Sequence, residues 1–189
     1  TLIASSVFGA LAGTSRVAAV RSGLADSIEQ AHQYAAEHAS TVWLCPSREG
    51  FVCEDDNDWS HGWMGFADRN GNARFDEGDE LLHKTPPLLD GLRLCSARRQ
   101  TRIRFRPLDG RPDSAVAFTL CDLRCPQEAV VLALTDEGRI SERPASPRND
   151  SRRRAFSASV PTVMRSCERS RPPAAWKLRT RMPSSTRLA

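Results

Sequence analysis

The chain has 189 residues, of which 40% are hydrophobic and 6% aromatic, with six cysteines and a formal net charge of +4; this length suits one domain with a core, not two. Residues 1–140 carry 15 Lys and Arg against 20 Asp and Glu, a net −5, and residues 141–189 carry 12 against 3, a net +9. The acidic body argues against a protein that binds nucleic acid across its whole fold, and no apolar run reaches the roughly 20 residues of a bilayer crossing, which excludes a multi-span membrane protein.

The first predicted element is a long helix that changes character along its length. Residues 1–15 carry no charge and are rich in small apolar side chains, and Arg16 ends this run. We interpret residues 1–15 as part of a membrane segment whose first half is missing; the alternative is an apolar helix docked on the core. From residue 17 onward apolar side chains recur every three or four positions, which predicts an amphipathic helix ending near Ala39. These positions are Val17, Val20, Leu24, Ile28, Ala31 and Ala35.

Residues 40–140 show short β patterns separated by turns. The Asn-Gly within Asp68–Asn72 predicts a hairpin turn between two of the strands. One helix followed by a run of strands is an α+β plan, so we predict a long N-terminal helix packed on an antiparallel β-sheet head. Strands are predicted over residues 41–45, 62–67, 81–83, 101–106, 115–121 and 129–135.

The residues after 140 have a different composition. In residues 141–189, 11 Arg, 9 Ser, 6 Pro and 6 Ala occupy 32 of 49 positions, without a helical or strand period. Such a segment has little to bury, and we predict a disordered tail. A frameshifted extension of the gene would have the same composition. The predicted organisation is therefore a helix over 1–39, a head over 40–140 and a tail over 141–189.

The sequence shows no motif of a catalytic or cofactor site, so we expect neither an enzyme nor a bound cofactor. The four histidines lack the spacing of a metal pair: His32, His38, His61 and His83. Oxygen side chains from Asp68 to Asp79 resemble the spacing of a calcium loop, but Ala73 stands where that loop needs glycine. A polar hairpin turn gives the same residues. A calcium-stabilised extracellular module is therefore only an alternative, and we assign no metal site.

The cysteines suggest an oxidising compartment. Cys45 follows a predicted strand, and Cys53 lies eight residues later, after a loop long enough to fold back, so this pair is our first predicted disulfide. Free buried cysteines are the alternative. Five cysteines are candidates for disulfides, and their remaining pairing is left open: Cys45, Cys53, Cys95, Cys121 and Cys125.

A run of motifs in residues 1–140 resembles the minor type IV pilins of the FimT/FimU type, which are related to the pseudopilin GspH of type II secretion. The core of the resemblance is Asp-Trp-Ser-His-Gly-Trp at 58–63, continued by Met-Gly-Phe-Ala-Asp-Arg-Asn-Gly-Asn at 64–72. Five of its residues are singled out as structural motif positions: Trp59, Gly62, Trp63, Phe66 and Asp68. Leu-Cys-Pro-Ser at 44–47, Ile-Arg-Phe at 103–105 and Gly-Arg-Ile at 138–140 follow the family order.

The resemblance implies a helix anchored by a single pass in the inner membrane before assembly and buried in the filament afterwards. The head would lie in the periplasm, and the partners would be other pilin or pseudopilin subunits that contact the N-terminal helix. The expected function is that of a structural subunit of a type IV pilus or type II secretion pseudopilus, in filament assembly and protein transport. Family members begin Phe or Met, then Thr-Leu-Ile-Glu; here Ala4 follows Thr1–Ile3, and Cys45 comes about 15 residues too early, which indicates truncation.

Some relatives of the FimT type take part in DNA uptake through a Gly-Arg-x-Arg element near the C-terminus. In this chain Gly138 and Arg139 are present, but Ser141 stands where the second arginine belongs, and Arg143 comes two residues later. Arg139 and Arg143 are therefore the candidate nucleic-acid residues of an alternative function, a DNA-binding pilin for natural transformation. The arginine-rich tail could also bind DNA through charge alone.

Overall fold

The computed structural model describes residues 4–97, 100–124 and 129–145. Within these residues one helix is followed by eight strands, as the α+β prediction requires. The helix α1 spans Ala4–Glu37. The strands are β1 (Thr41–Pro46), β2 (Trp63–Asp68), β3 (Glu80–Thr85), β4 (Leu92–Ser96), β5 (Ile103–Phe105), β6 (Val116–Asp122), β7 (Val130–Leu134) and β8 (Ile140–Pro144).

Helix α1 packs against the head along the stripe that its sequence period predicts. All six predicted apolar positions are at most 8% exposed, and Ala31 and Ala35 are fully buried. The helix ends within about two residues of the predicted position, where Ala39 takes a positive φ of 49°. The amphipathic part of the predicted helix is therefore confirmed. In the part of α1 that the structure describes, no stretch is both long and apolar enough to cross a membrane.

The first sheet has the strand order β3-β2-β1-β5, and all its pairs are antiparallel. Its β1–β2 register places Thr41 opposite Asp68 and Pro46 opposite Trp63. The predicted hairpin joins β2 to β3, whose register shifts between Gly65 and Phe66. Strands β1 and β2 are buried along most of their length because the helix covers one face and a second apolar cluster covers the other.

The second sheet has the order β4-β6-β7-β8, again antiparallel throughout. Strand β4 was not predicted; its sequence is Leu-Arg-Leu-Cys-Ser, and all of these residues except Arg93 are buried. Strand β8 continues to Pro144 and pairs with β7. The predicted boundary at residue 140 is therefore four residues too early, because pairing with β7 orders a segment that has little to bury. The tail prediction for residues 146–189 lies outside the described residues.

A loop segment joins the two sheets. The amide of Trp59 donates a hydrogen bond to the carbonyl of Leu94 (2.8 Å), and the amide of Ser96 donates to the carbonyl of Asn57 (3.0 Å). Residues 57–60 thus run antiparallel to β4 like a short extra strand, with a bridge between Asp58 and Cys95. The Asp-Trp-Ser-His-Gly-Trp motif at 58–63 begins in this segment, beside β4 of the second sheet, and ends at Trp63, the first residue of β2 in the first sheet.

Candidate functional site

The motif at 58–63 places two tryptophans in the core between the helix and the sheets. Trp63 is 1% exposed, and its indole Nε1 donates a hydrogen bond to the hydroxyl of Ser27 on α1 (3.0 Å). Ser27 in turn donates to the carbonyl of Gly23 one turn earlier (2.8 Å). A buried indole N–H needs an acceptor, and here the acceptor comes from the helix. Trp63 therefore ties the head to α1 by both packing and a polar contact.

Trp59 connects the two sheets by packing and by a hydrogen bond from its indole nitrogen. Its side chain is fully buried, and its Nε1 donates to the hydroxyl of Ser96 on β4 (3.1 Å). Its ring meets Phe118 of β6 edge-on, with centroids 5.1 Å apart and an interplanar angle of 87°. This geometry is favourable between aromatic rings. Trp59 thus holds the second sheet against the loop that precedes β2.

Gly62 makes the turn that lets both tryptophans point into the core. Its φ of +104° is strained for other residues, and a Cβ built there would lie 2.4 Å from the carbonyl oxygen of Thr85. Its amide donates to the carbonyl of Trp59 (3.1 Å). A side chain at this position would separate β3 from the turn, so glycine is required by both backbone angle and space.

Phe66 and Asp68 lie at the far side of the first sheet. Phe66 is fully buried in a cluster with Cys45 and Met64, and its ring contacts Phe75 with centroids 5.6 Å apart. Asp68 is 6% exposed. Its carboxylate accepts hydrogen bonds from the indole of Trp43 (3.0 Å) and from three backbone amides of the following turn, those of Gly71 (2.7 Å), Asn72 (3.2 Å) and Ala73 (2.9 Å). All five motif positions therefore have structural contacts in the head.

The Asp68–Asp79 loop is held by its own donors. Asp79 accepts hydrogen bonds from the amides of Arg69 (2.9 Å) and Asp76 (3.1 Å), and Asp76 accepts one from the side chain of Asn70 (2.8 Å). Over residues 4–97, 100–124 and 129–145, no group of three or more His, Cys, Asp or Glu side chains is placed to hold a metal ion. The loop thus has the contacts of a polar hairpin turn, and these contacts do not favour the calcium alternative.

Some of the described cysteines form disulfide bonds, and one is a free thiol. Cys45 and Cys53 form a disulfide with a Cα–Cα distance of 5.5 Å, as predicted. Cys95 is also disulfide-bonded. Cys121 is a free, buried thiol, and burial raises its pKa. Its candidacy as a disulfide cysteine was wrong, because its neighbour across the strand pair is Arg93. Cys125 lies outside the described residues.

The C-terminal end of α1 borders an open cleft of about 590 Å³. Tyr34 donates a hydrogen bond to Glu80 (2.7 Å), which also pairs with Arg69 (2.6 Å). The bond from Tyr34 raises the pKa of the phenol and lowers the pKa of the Glu80 carboxyl. Tyr34 also stacks on His38, with centroids 4.0 Å apart. These groups link the helix end to the β2–β3 hairpin at the surface.

Two half-buried histidines have buried ring nitrogens for which the described structure shows no hydrogen-bond partner. They are His32, at Nδ1, and His83, at both nitrogens. The His83 ring lies over Gly65, where a Cβ would be 2.5 Å from the ring, and burial lowers its pKa to about 4. The sequence showed His83 beside a strand but gave no sign that the missing side chain at Gly65 would make room for it.

The candidate nucleic-acid residues lie at opposite ends of β8. Arg139 is exposed, with its Nε 3.6 Å from Glu137, and Arg143 is exposed opposite Val131. The neighbouring Glu142 forms an ion pair with Arg21 of α1. Glu137 therefore offsets Arg139, Glu142 is engaged by the helix, and DNA binding by Arg139 and Arg143 stays a prediction.

The sequence did not reveal the small residues that contact the motif tryptophans or the helix from other elements of the fold. Ser27, Ser96 and Gly110 lack any chemical signature of their own. Gly110 has a φ of +64°, and a Cβ there would lie 2.3 Å from the carbonyl oxygen of His32. The turn at Gly110 thus contacts the helix backbone directly. A small residue in a turn was visible in the sequence, but its position against α1 was not.

A family model described as type II transport protein GspH matches residues 22–138. The fold is similar to that of the type IV minor pilin FimU of Pseudomonas aeruginosa PAO1, with a TM-score of 0.54 and 14% identity over 69% of this chain and 90% of that one. The minor pseudopilin EpsH of the type 2 secretion system of Vibrio cholerae gives a TM-score of 0.47 and 9% identity over 68% and 97%. No curated protein sequence matches the chain.

Proposed function

The chain belongs to the family of the type II transport protein GspH, and on that premise we propose that it is a minor pilin or pseudopilin. In this proposal it is a structural subunit of a type IV pilus or type II secretion pseudopilus and takes part in filament assembly and protein transport. The family match covers the C-terminal half of the helix and nearly all of the head. No catalytic step is assigned to the chain.

The observation that carries the proposal is that two parts of the helix differ: one part packs under the head, and the part before it is uncharged. Between Val17 and Ala35, α1 buries its apolar stripe under the head, and Ser27 accepts the bond from Trp63. Residues 1–15 carry no charge at all. A helix that fixes a globular head with one part and offers an uncharged stretch with the other suits assembly through helix–helix contacts, because such contacts need apolar surfaces.

The same features support a location. An uncharged N-terminal stretch fits the inner membrane before assembly, in a single-pass arrangement. The disulfide between Cys45 and Cys53 fits a head in the periplasm, since disulfides persist in oxidising compartments. The partners in this proposal are other pilin or pseudopilin subunits, which contact the N-terminal helix.

The partner proposal is tested by co-purification of the tagged full chain with the other pilin-like subunits of the source organism. We expect these subunits to co-purify with the unaltered chain and to be lost with Leu11→Lys, which places a charge in the uncharged stretch. Gln33→Lys is the matched control, because Gln33 is an exposed position of the same helix and should keep the partners. Absence of pilin-like subunits from the unaltered sample, or equal recovery with Leu11→Lys, would overturn assembly through the N-terminal helix.

The biological role is tested by deleting the gene and counting surface filaments and secreted proteins. Loss of filaments assigns the chain to a pilus, and loss of secreted proteins assigns it to a secretion system. The wild-type gene should restore whichever is lost. If the deletion changes neither, the proposed structural role is wrong.

A further inference from the structure

One end of the head combines exposed leucines with arginines beside the helix. Leu89 is 63% exposed and Leu123 is 46% exposed. The amide of Leu123 donates a hydrogen bond to the carbonyl of Gly91 (2.7 Å), which joins the two loops that carry them, and the amide of Leu92 donates to the carbonyl of Leu89 (3.0 Å) within the first loop. Together with Arg16 and Arg124 these two leucines define what we call the helix-exit surface.

The helix-exit surface is fastened to α1 by Arg16. One guanidinium nitrogen of Arg16 donates to the carbonyl of Asp90 (2.9 Å), and another lies 3.7 Å from the carboxylate of Asp122. Asp122 is buried and also accepts two hydrogen bonds from the Arg124 side chain, at 3.0 and 2.6 Å. The side chain of Arg124 is still 56% exposed. The leucines are thus held at a fixed level along the helix, that of Arg16.

Arg16 is also the first charge in the chain, since residues 1–15 have none. Arginines at the end of an apolar segment lie at the level of the lipid headgroups, and apolar side chains next to them enter the boundary between headgroups and acyl chains. The carboxylate of Asp122 pairs with both arginines and offsets one of their two charges, so we expect binding to need no anionic lipid. The apolar contacts of the leucines provide the main contribution.

We propose that the helix-exit surface docks on a phospholipid bilayer, with Leu89 and Leu123 inserted at its surface. This inference rests on the proposed function, in which the chain is held in a membrane before assembly. Docking would set the height and tilt of the head relative to the bilayer before the subunit enters a filament.

The head provides a matched control at its other end. Leu108 is 77% exposed, more than either leucine of the helix-exit surface. It precedes the Gly110 turn, which packs on the backbone of His32. His32 lies 16 residues beyond Arg16, or about 24 Å along the helix at 1.5 Å per residue. A bilayer that reaches Leu89 should therefore not reach Leu108.

The test uses the full chain with an environment-sensitive fluorescent amino acid in place of Leu89, Leu123 or Leu108. Each variant is mixed with phosphatidylcholine vesicles that carry a quencher at the top of the acyl chains, and a parallel set contains phosphatidylglycerol. Vesicle flotation reports whether the chain is bound, and thermal melting reports whether it is folded. We expect strong quenching at positions 89 and 123, little at 108, and the same pattern in both lipid mixtures.

Three results would overturn the docking. Bound chain without quenching at 89 and 123 would show a head held away from the lipid. Equal quenching at all three positions would show a head lying on its side, and failure of the chain to float would show no membrane contact. Co-purification with pilin-like subunits is measured separately, so the proposed function can survive each of these results.

A second measurement does not depend on a label. Leu89→Asp with Leu123→Asp should weaken vesicle binding by roughly tenfold, since about half of each side chain is withdrawn from lipid. Leu108→Asp should leave the binding unchanged. Equal affinities for the double variant and the control would contradict the proposal.

Discussion

The indole nitrogen of Trp63 donates a hydrogen bond to the hydroxyl oxygen of Ser27 across the boundary between head and helix, at 3.0 Å. Both residues are nearly inaccessible to solvent, at 1% and 6% exposure. Water therefore cannot replace either partner. Apolar packing alone has little geometric requirement, whereas this hydrogen bond does. It therefore fixes which turn of α1 faces the start of β2.

Ser27→Ala should lower the free energy of unfolding by about 1–3 kcal/mol. The substitution improves helix propensity, but it leaves the Trp63 N–H buried without an acceptor, and that desolvation cost is the larger effect. Urea denaturation followed by circular dichroism measures the change. A loss below about 0.3 kcal/mol would show that the bond has no role in holding the head.

Combining Ser27→Ala with Trp63→Phe provides the control for this prediction. Trp63→Phe removes the donor and also leaves a small cavity. In its background Ser27→Ala should cost less than in the wild-type chain, because no indole N–H remains to be orphaned. Equal costs in the two backgrounds would assign the effect of Ser27→Ala to something other than this bond.

The sequence predicted elements whose signal lies within one segment. The apolar stripe from Val17 to Ala35 and the strand predicted over residues 101–106 have their signal in the local sequence, and both are confirmed, the strand as Ile103–Phe105 with both of these apolar residues buried. The pair Cys45–Cys53 was predicted from its short separation of eight residues and is confirmed too. Such features depend on neighbours in the chain and not on the tertiary fold.

What the sequence could not predict depends on distant partners. Strand β4 is short and follows a Pro-Pro break, and it is recognisable only once Leu94 accepts the amide of Trp59 and the strand pairs with β6. Strand β8 is exposed along its length and is ordered by pairing with β7. The acceptor role of Ser27 likewise requires knowledge of which helix turn meets Trp63. The resemblance identified Trp63 itself, but a serine in a helix carries no comparable signal.

Gly110→Ala should destabilise the protein more than Gly71→Ala. Both glycines have positive φ, at +64° and +76°, so each alanine incurs a backbone cost of about 1–2 kcal/mol. Only at Gly110 would the new Cβ meet the helix, 2.3 Å from the carbonyl oxygen of His32, whereas nothing lies within 4 Å at Gly71. We expect about 1 kcal/mol for Gly71→Ala and about 3 kcal/mol for Gly110→Ala in chemical denaturation. Equal losses would show that the turn does not press on the helix.

Lower pH should destabilise the protein through His83. Burial lowers the pKa of its imidazole from 6.5 to about 4 in the folded chain. Between these two values the unfolded chain takes up a proton that the folded chain does not, so the free energy of unfolding falls as the pH falls from 6.5 to 4. We expect this group to account for about 2 kcal/mol over that window, since part of the ring keeps contact with solvent.

His83→Leu is the matching variant, because leucine is apolar and does not titrate. At pH 7 it should be at least as stable as the wild-type chain, since it removes two buried ring nitrogens that lack partners in the described structure. Melting curves at pH 7, 6, 5 and 4 should show the wild-type chain losing stability relative to the variant. A constant difference across this range would contradict the role of His83.

Arg139→Ala with Arg143→Ala should leave the affinity of the full chain for duplex DNA unchanged. Arg139 lies beside Glu137, which offsets its charge, and Arg143 is a single arginine beside the many arginines that follow it in the sequence. The excess positive charge lies after residue 140, and binding through charge alone falls steeply with added salt. Fluorescence anisotropy at 50 and 200 mM salt tests this. A loss of tenfold or more at both salt concentrations would instead favour specific contact by the two arginines.

Cys53→Ala should open the disulfide and lower the free energy of unfolding by about 2–3 kcal/mol, the loop-entropy value for a closure of this length. The disulfide closes the loop between Cys45 and Cys53, which carries the exposed side chains of Phe51 and Val52. Cys121→Ala is the control: it removes a free thiol without opening a bond, so its cost should be that of a small buried truncation, about 1 kcal/mol. Peptide mapping without reductant should find Cys45 linked to Cys53, with Cys121 alkylated only after unfolding. Free thiols at both Cys45 and Cys53 in the native protein would contradict the pairing, and with it the argument for an oxidising compartment.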